Sequence, residues 1–239
     1  MAKVALITGG AVRIGHEIAC HLAEKGWNLA IHFNTSSLEV SEFVSELRVK
    51  YSYQQFYSFK TDLGSAEDTE KLIDQVLERF GSVELLINNA SAFEPGSLKS
   101  TDNHLLINHM MINVIAPFIL MRDFAKRSGT GLIINIVDTR ITNNKSDYLA
   151  YSLSKKSLWE LTKMAALELA PHFRVNAIAP GAVLPPVGKD KSYLEKIALN
   201  TPMKTSSGVI SILRSLDYLL DNQDLTGQLI FCDGGGHLI

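Results

Sequence analysis

Cysteine is scarce in this 239-residue chain: only Cys20 and Cys232 occur, far apart and at no metal or redox spacing. They read as small core residues of a reducing compartment. The seven histidines are scattered with no pair at ligand spacing, which argues against a metal site. Excess charge is lacking too. Lys and Arg number 23 against 25 Asp and Glu, so no basic field exists for nucleic acid or an anionic membrane. No apolar run approaches the ~20 residues of a bilayer span. The start, Met-Ala-Lys and then Val4 to Ile7, is cut off by Gly9-Gly10 before it could form a signal-peptide core. A soluble cytoplasmic protein is expected, with no nucleic-acid or membrane partner.

What is abundant is apolar material, 46% of the chain, enough for one large α/β core over 1–239. Short apolar runs recur at 4–7, 29–33, 55–59, 83–87, 132–137, 174–179 and 228–232. Helical patterns separate them, at about 15–26, 38–49, 65–80, 102–127, 151–170 and 209–220, with a short one near 193–199. Alternation without repeat or linker predicts a single-domain, Rossmann-like doubly wound fold. Its seven-stranded, mainly parallel sheet has helices on both faces. The 102–127 helix is expected to be bent or loosened around Asn113 and Pro117. Residues 182–205, irregular around Pro185, Pro186 and Gly188, suit a substrate lid.

Chemistry-bearing residues fall at the strand ends. After the first strand comes Thr8-Gly9-Gly10-Ala11-Val12-Arg13-Ile14-Gly15, opening a helix. Backbone N–H groups and a helix dipole can hold a pyrophosphate there. After the second strand, which contains His32, stand Asn34, Thr35 and Ser36, with no acid to repel a 2′-phosphate. That favours NADP over NAD. Asp62-Leu63 follows the third strand, where Asp62 either meets an adenine edge or starts a helix. Asn88-Asn89-Ala90-Ser91 ends the fourth, as a ligand crevice or a satisfied turn. Asn113 either satisfies a local carbonyl or links a proton path. Asp138 ends the fifth strand, and Pro180-Gly181 ends the sixth. Tyr151 and Lys155 share one helix face, where an ammonium would pull the phenol toward neutral pH and make it a proton donor.

T-G-x-x-x-x-x-G, N-N-A, the helical Asn, Y-x-x-x-K, P-G and a terminal D-G-G together resemble the short-chain dehydrogenase/reductase family over essentially the whole chain. The resemblance implies that Tyr151 is the acid. Lys155 would hold the nicotinamide ribose and lower the Tyr151 pKa, and Asn113 would support a water relay. It also implies a homotetramer built from the 102–127 and Tyr151 helices.

Three departures narrow the expectation. Arg13 stands where the family's turn has its middle glycine, Ser91 replaces the glycine of N-N-A-G, and Asp138 occupies the place of the catalytic serine. With Phe93, they look like the pteridine and dihydromonapterin reductase branch, as does the D-G-G-G-H-L ending. An ionised Asp138 cannot donate to a nascent alkoxide and would repel it. At ~4 Å and an effective dielectric of about 20 the repulsion is about 4 kcal/mol. A protonated Asp138 would escape this argument by donating as serine does. For a pterin, hydride goes to a ring carbon and the proton to an adjacent nitrogen, so Asp138 can position and reprotonate Tyr151 or accept from the ring's amine groups. Arg13 can bind phosphate and reach the substrate, and Phe93 either stacks on a planar ring or packs in the core. The expected activity is NADPH-dependent reduction of a dihydropterin, such as dihydromonapterin or dihydrobiopterin, to the tetrahydro form. The alternatives are a carbonyl or 3-oxoacyl reductase, and a non-catalytic NADP sensor.

Overall fold

A computed structural model describes residues 3–145, 147–184, 191–205 and 208–239. Seven strands form one sheet: β1 (Val4–Ile7), β2 (Asn28–Phe33), β3 (Phe56–Lys60), β4 (Leu85–Asn88), β5 (Gly131–Ile136), β6 (Phe173–Pro180) and β7 (Leu229–Cys232). Their spatial order is β3-β2-β1-β4-β5-β6-β7, and every pairing is parallel. The chain reverses direction across the sheet between β1 and β4, which is where a doubly wound fold opens its ligand crevice.

The strands are buried on both faces, and alternation divides them between two layers. Ala5 and Ile7 of β1 join the layer packed by α1 (Arg13–Glu24), α2 (Ser37–Lys50) and, later in the chain, the helix Gly208–Asp221. Val4 and Leu6 join the opposite layer, with α3 (Ala66–Phe80). That second layer also takes in the helix pair that bears the site.

The segment expected as one helix runs as α4 (Asn103–Met110), a π-helical turn (Met111–Ile115) and α5 (Ala116–Arg127). Pro117 has no N–H for the carbonyl four residues back, at Asn113, and its ring crowds that carbonyl. The widened turn accommodates both. By length and composition the 25 residues Asn103–Arg127 could span a bilayer. Here the segment packs against α3 and α6 (Leu149–Leu169), with Asn113 and His109 fully buried. After β6 come α7 (Lys191–Ala198) and α8 (Gly208–Asp221). Pro185, Pro186 and Gly188, the irregular heart of the expected lid, lie outside the described residues.

Candidate active site

Asp138 follows β5 and caps a 3₁₀ turn, Thr139–Thr142, by accepting from the Arg140 N–H at 2.8 Å on Oδ1. Its other oxygen, Oδ2, accepts from the Tyr151 hydroxyl at 2.7 Å. Asp138 is thus bonded at both oxygens, one to the backbone of the turn and one to the phenol. Tyr151, in the first turn of α6, is 6% exposed. Burial, then the charge of Asp138 and the bond to it, hold its phenol well above the ordinary tyrosine range.

Lys155 lies one turn further along α6, fully inside the protein, and donates to the Ile136 carbonyl at 2.8 Å. Burial pushes its ammonium down to about 8, against the opposing pull of Asp138. Its Nζ sits 5.8 Å from the Tyr151 ring centroid. The expectation that Lys155 draws the phenol toward neutrality is therefore corrected. In this state the ammonium is turned to a backbone carbonyl, and burial, followed by Asp138, holds the phenol up.

Asn113 occupies the π turn, and all its amide atoms are engaged. Oδ1 accepts from Ala92 N at 2.8 Å and Ser91 Oγ at 3.1 Å. Nδ2 donates to Ala92 O at 3.0 Å and to Ser154 Oγ at 2.9 Å. Ser154 in turn donates to the Tyr151 carbonyl. Asn113 thus satisfies a local carbonyl and fastens the loop after β4 to the helix that bears Tyr151. Phe93, in that loop, is 53% exposed and so is not core. Its ring stacks on Tyr148 at 4.5 Å and 9° and meets Tyr151 edge-on at 4.6 Å.

The glycine turn forms the other wall. Gly9 adopts φ +60°, and a Cβ on Gly15 would lie 2.1 Å from the Gly9 carbonyl oxygen and 2.6 Å from Asn89 Nδ2. Arg13 keeps the left-handed φ of 52° that its position demands, although it is not glycine. Ile14 packs at the edge of the core and Leu63 within it. The first turn of α1 has no side-chain cap and no acidic residue, so its N–H end fits a pyrophosphate.

Several residues expected to touch the cofactor instead build its cradle. His32 accepts from Gly9 N through Nδ1 at 3.0 Å, and its Nε2 donates to Thr61 O at 3.0 Å, leaving no ring nitrogen for a ligand. Burial pushes this imidazole toward its neutral form. Asn89 Nδ2 donates to Thr8 O and Gly9 O, while Thr8 Oγ1 accepts from Asn89 N and Ala90 N. Asn88 faces inward and donates to Asn135 Oδ1 at 2.8 Å. Asn89 thus ties the β1–β4 junction and Asn88 links β4 to β5, the satisfied turn of the two alternatives for their side-chain nitrogens. Asp62 is not the cap of α3, since Ser65 takes that place. Asp62 Oδ1 instead accepts from Gly64 N and from Asn34 Nδ2, at 2.9 and 3.3 Å, on an exposed rim shared with Thr35. Ser36 sits at the N-terminus of α2 without a side-chain cap bond. Gly181 N donates to Cys232 O, and a Cβ there would press on Asp233, which fixes the Pro180-Gly181 turn against the C-terminal segment.

Four site residues were not read from the sequence. His109 is fully buried, donates from Nδ1 to Leu105 O and accepts from Glu94 N on Nε2. Its spacing of four from Asn113 puts it on the same helix face, which was the available signal. Tyr148, three before Tyr151, and Ser154, three after it, carried the same helical signal. Arg140 had none.

A family model described as short chain dehydrogenase matches residues 3–195, and the chain belongs to that family of oxidoreductases. Within it, FolM alternative dihydrofolate reductase 1 from Brucella canis, solved with NADP, superimposes with a TM-score of 0.91 at 34% identity, covering 99% of this chain and 95% of that one. Pteridine reductase 1 of Leishmania tarentolae is 30% identical over 98% of this chain and 96% of its own length. Dihydromonapterin reductase of Shigella boydii is 27% identical over 98% and 96%.

Proposed function

We propose that this oxidoreductase reduces a dihydropterin to its tetrahydro form with NADPH. The observation that carries the reading is Asp138, in the serine's place, accepting the Tyr151 hydroxyl at 2.7 Å. A carboxylate there disfavours alkoxide formation and suits a substrate whose proton goes to a ring nitrogen. The pterin and folate names of the Leishmania, Shigella and Brucella relatives support it.

For the cofactor, the uncapped first turn of α1 beside Gly9 and Gly15 would hold the pyrophosphate. Asn34, Thr35 and Ser36, with no acid among them, would take the 2′-phosphate. Reduced nicotinamide, when bound, supplies the hydride to a ring carbon. Tyr151 starts each turnover protonated, and Asp138 keeps its O–H aimed. Lys155, 5.8 Å from the ring, opposes the phenolate charge left after transfer. The half-exposed Phe93 offers a face for the planar ring, and Arg13 lies at the phosphate end of the crevice.

The test is NADPH oxidation by purified protein with dihydromonapterin and dihydrobiopterin, alongside acetoacetyl thioesters and simple ketones. Turnover of a ketone without turnover of either pterin refutes the reading in favour of a carbonyl reductase. No NADPH consumption with any of them makes it a cofactor-binding protein. Asp138→Ser is expected to lower pterin turnover at least tenfold, about 1.4 kcal/mol, and to admit carbonyl substrates.

The same reading includes a homotetramer. Ile107, Ile115 and Phe118 on the α4–α5 segment and Leu153, Met164 and Leu167 on α6 are exposed apolar side chains that a neighbouring copy would cover. Light scattering should give four times 26.4 kDa.

A further inference from the structure

We propose that Arg140 is a positioning residue of the proton-donating pair, a fixed positive charge that Asp147 holds in place to offset Asp138 beside the Tyr151 hydroxyl. The geometry starts at the backbone. The Arg140 N–H donates to Asp138 Oδ1, so the residue cannot leave the carboxylate without uncapping the 3₁₀ turn. Its guanidinium makes a two-point bond to Asp147, Nη1 to Oδ1 at 2.8 Å and Nη2 to Oδ2 at 3.2 Å. Asp147 is itself fixed, because its carbonyl accepts from Gly96 N at 2.9 Å.

The guanidinium also lies over the Tyr148 ring, 4.6 Å from its centroid. Phe93 stacked at 4.5 Å covers one face of that ring, which leaves Arg140 the other. Arg140, Tyr148 and Phe93 therefore form a column whose end ring meets Tyr151 edge-on. Both ends of the residue are tied to the site, and its side chain is only 22% exposed. A charge so placed is screened less than a surface charge.

Among the described residues, the ionisable groups around Tyr151 are few. Asp138 comes from the end of β5, Arg140 from the 3₁₀ turn, Tyr148 and Lys155 from the start of α6, and His109 from α4, its ring 6.5 Å away. His109 accepts the Glu94 N–H at Nε2 and donates at Nδ1 to the Leu105 carbonyl, so both ring nitrogens are taken up by the backbone. Lys155 is turned to Ile136 O. Burial and then Asp138 drive the phenol up, and the charge of Arg140 pulls it down. Without Arg140, Tyr151 would be a still weaker acid.

This inference rests on Tyr151 as proton donor and not on the pteridine. The test uses full-length protein with NADPH, two acceptors (dihydrobiopterin and the diketone phenanthrenequinone), and the variants Arg140→Gln and Arg140→Lys. Arg140→Gln should lower kcat about tenfold, raise the solvent deuterium isotope effect on kcat, and leave the KM for NADPH within about twofold. Arg140→Lys, which keeps the charge, should restore most of kcat. Asp147→Asn, which loosens the guanidinium, should fall between them and covers the case in which Arg140→Gln does not fold. In parallel, the Cζ signal of Tyr151 is followed in NADP-bound protein labelled with ¹³C-tyrosine and assigned with Tyr151→Phe. It should show less phenolate at alkaline pH in Arg140→Gln than in wild type. Equal kcat and equal phenolate in Arg140→Gln would overturn the proposal. So would an Arg140→Lys as impaired as Arg140→Gln, since Arg140 would then serve only to pack Tyr148. Reduction of the diketone without dihydrobiopterin would refute the pteridine reading and leave this comparison intact.

Discussion

Replacing Lys155 by methionine should change how stability depends on pH. In the folded protein burial holds Lys155 at about 8, against its ordinary 10.5. Between those values the unfolded chain binds a proton that the folded chain does not, so folding stability rises with pH across the window. Below pH 8 the ammonium is charged in both states and its full burial penalty is present. Above 10.5 it is neutral in both and the penalty is gone. From pH 7 to pH 10 the gain integrates to about 2.5 kcal/mol at 1.36 kcal/mol per unit. Lys155→Met lacks this term, while the other titrating groups contribute similarly to both proteins. Urea denaturation of the ligand-free proteins at pH 7, 8, 9 and 10 would measure it. The wild type should gain about 2.5 kcal/mol on the variant over that range, and the variant should be inactive at every pH. Parallel curves would mean that Lys155 is not buried as a charge, and the account of how it is held would fail.

Two further outcomes follow from the geometry. Asn113→Ala leaves the Ala92 backbone groups and Ser154 without their partner, and should cost about 2–4 kcal/mol in chemical denaturation while releasing the Phe93 loop. A drop within about 0.5 kcal/mol would show that the network is dispensable. Gly15→Ala forces a Cβ to within 2.1 Å of the Gly9 carbonyl. It should destabilise by about 1–3 kcal/mol and weaken NADPH binding at least tenfold, both measurable by calorimetry. Unchanged affinity would mean the phosphates bind elsewhere.

Much of this was legible because apolar periodicity and strand-end polarity are local. The seven strands were placed to within a residue or two, and the disturbance near Asn113 and Pro117 was visible because Pro117 removes a donor. What was hidden depended on register. His32 reads from sequence as a cofactor contact near the end of the second strand. The parallel pairing of Ile7 with Ile31 sets it beside the glycine turn, where its ring bonds Gly9. Asn88 and Asn89 look alike in sequence, yet successive side chains point to opposite faces, so one faces Asn135 and the other the turn. Arg140 was unreadable because its partner Asp147 and the ring of Tyr148 reach it only when the loop folds back. Arg13 shows a subtler limit. Its departure from glycine was plain, but the left-handed backbone persists without the glycine.

The π-helical turn constrains length more tightly than identity. A π turn is an α-helix with one residue too many, so deleting a single residue between 111 and 115 would restore a regular helix. That repair would rotate everything before it by ~100° relative to everything after. His109 and Leu105 would then leave the face that holds Glu94 and the Phe93 loop, while α5 stayed seated on the sheet. Along this stretch, side chains can be exchanged one at a time with graded effects. A one-residue change in length would instead separate the Phe93 loop from the helix that bears Tyr151 in a single step.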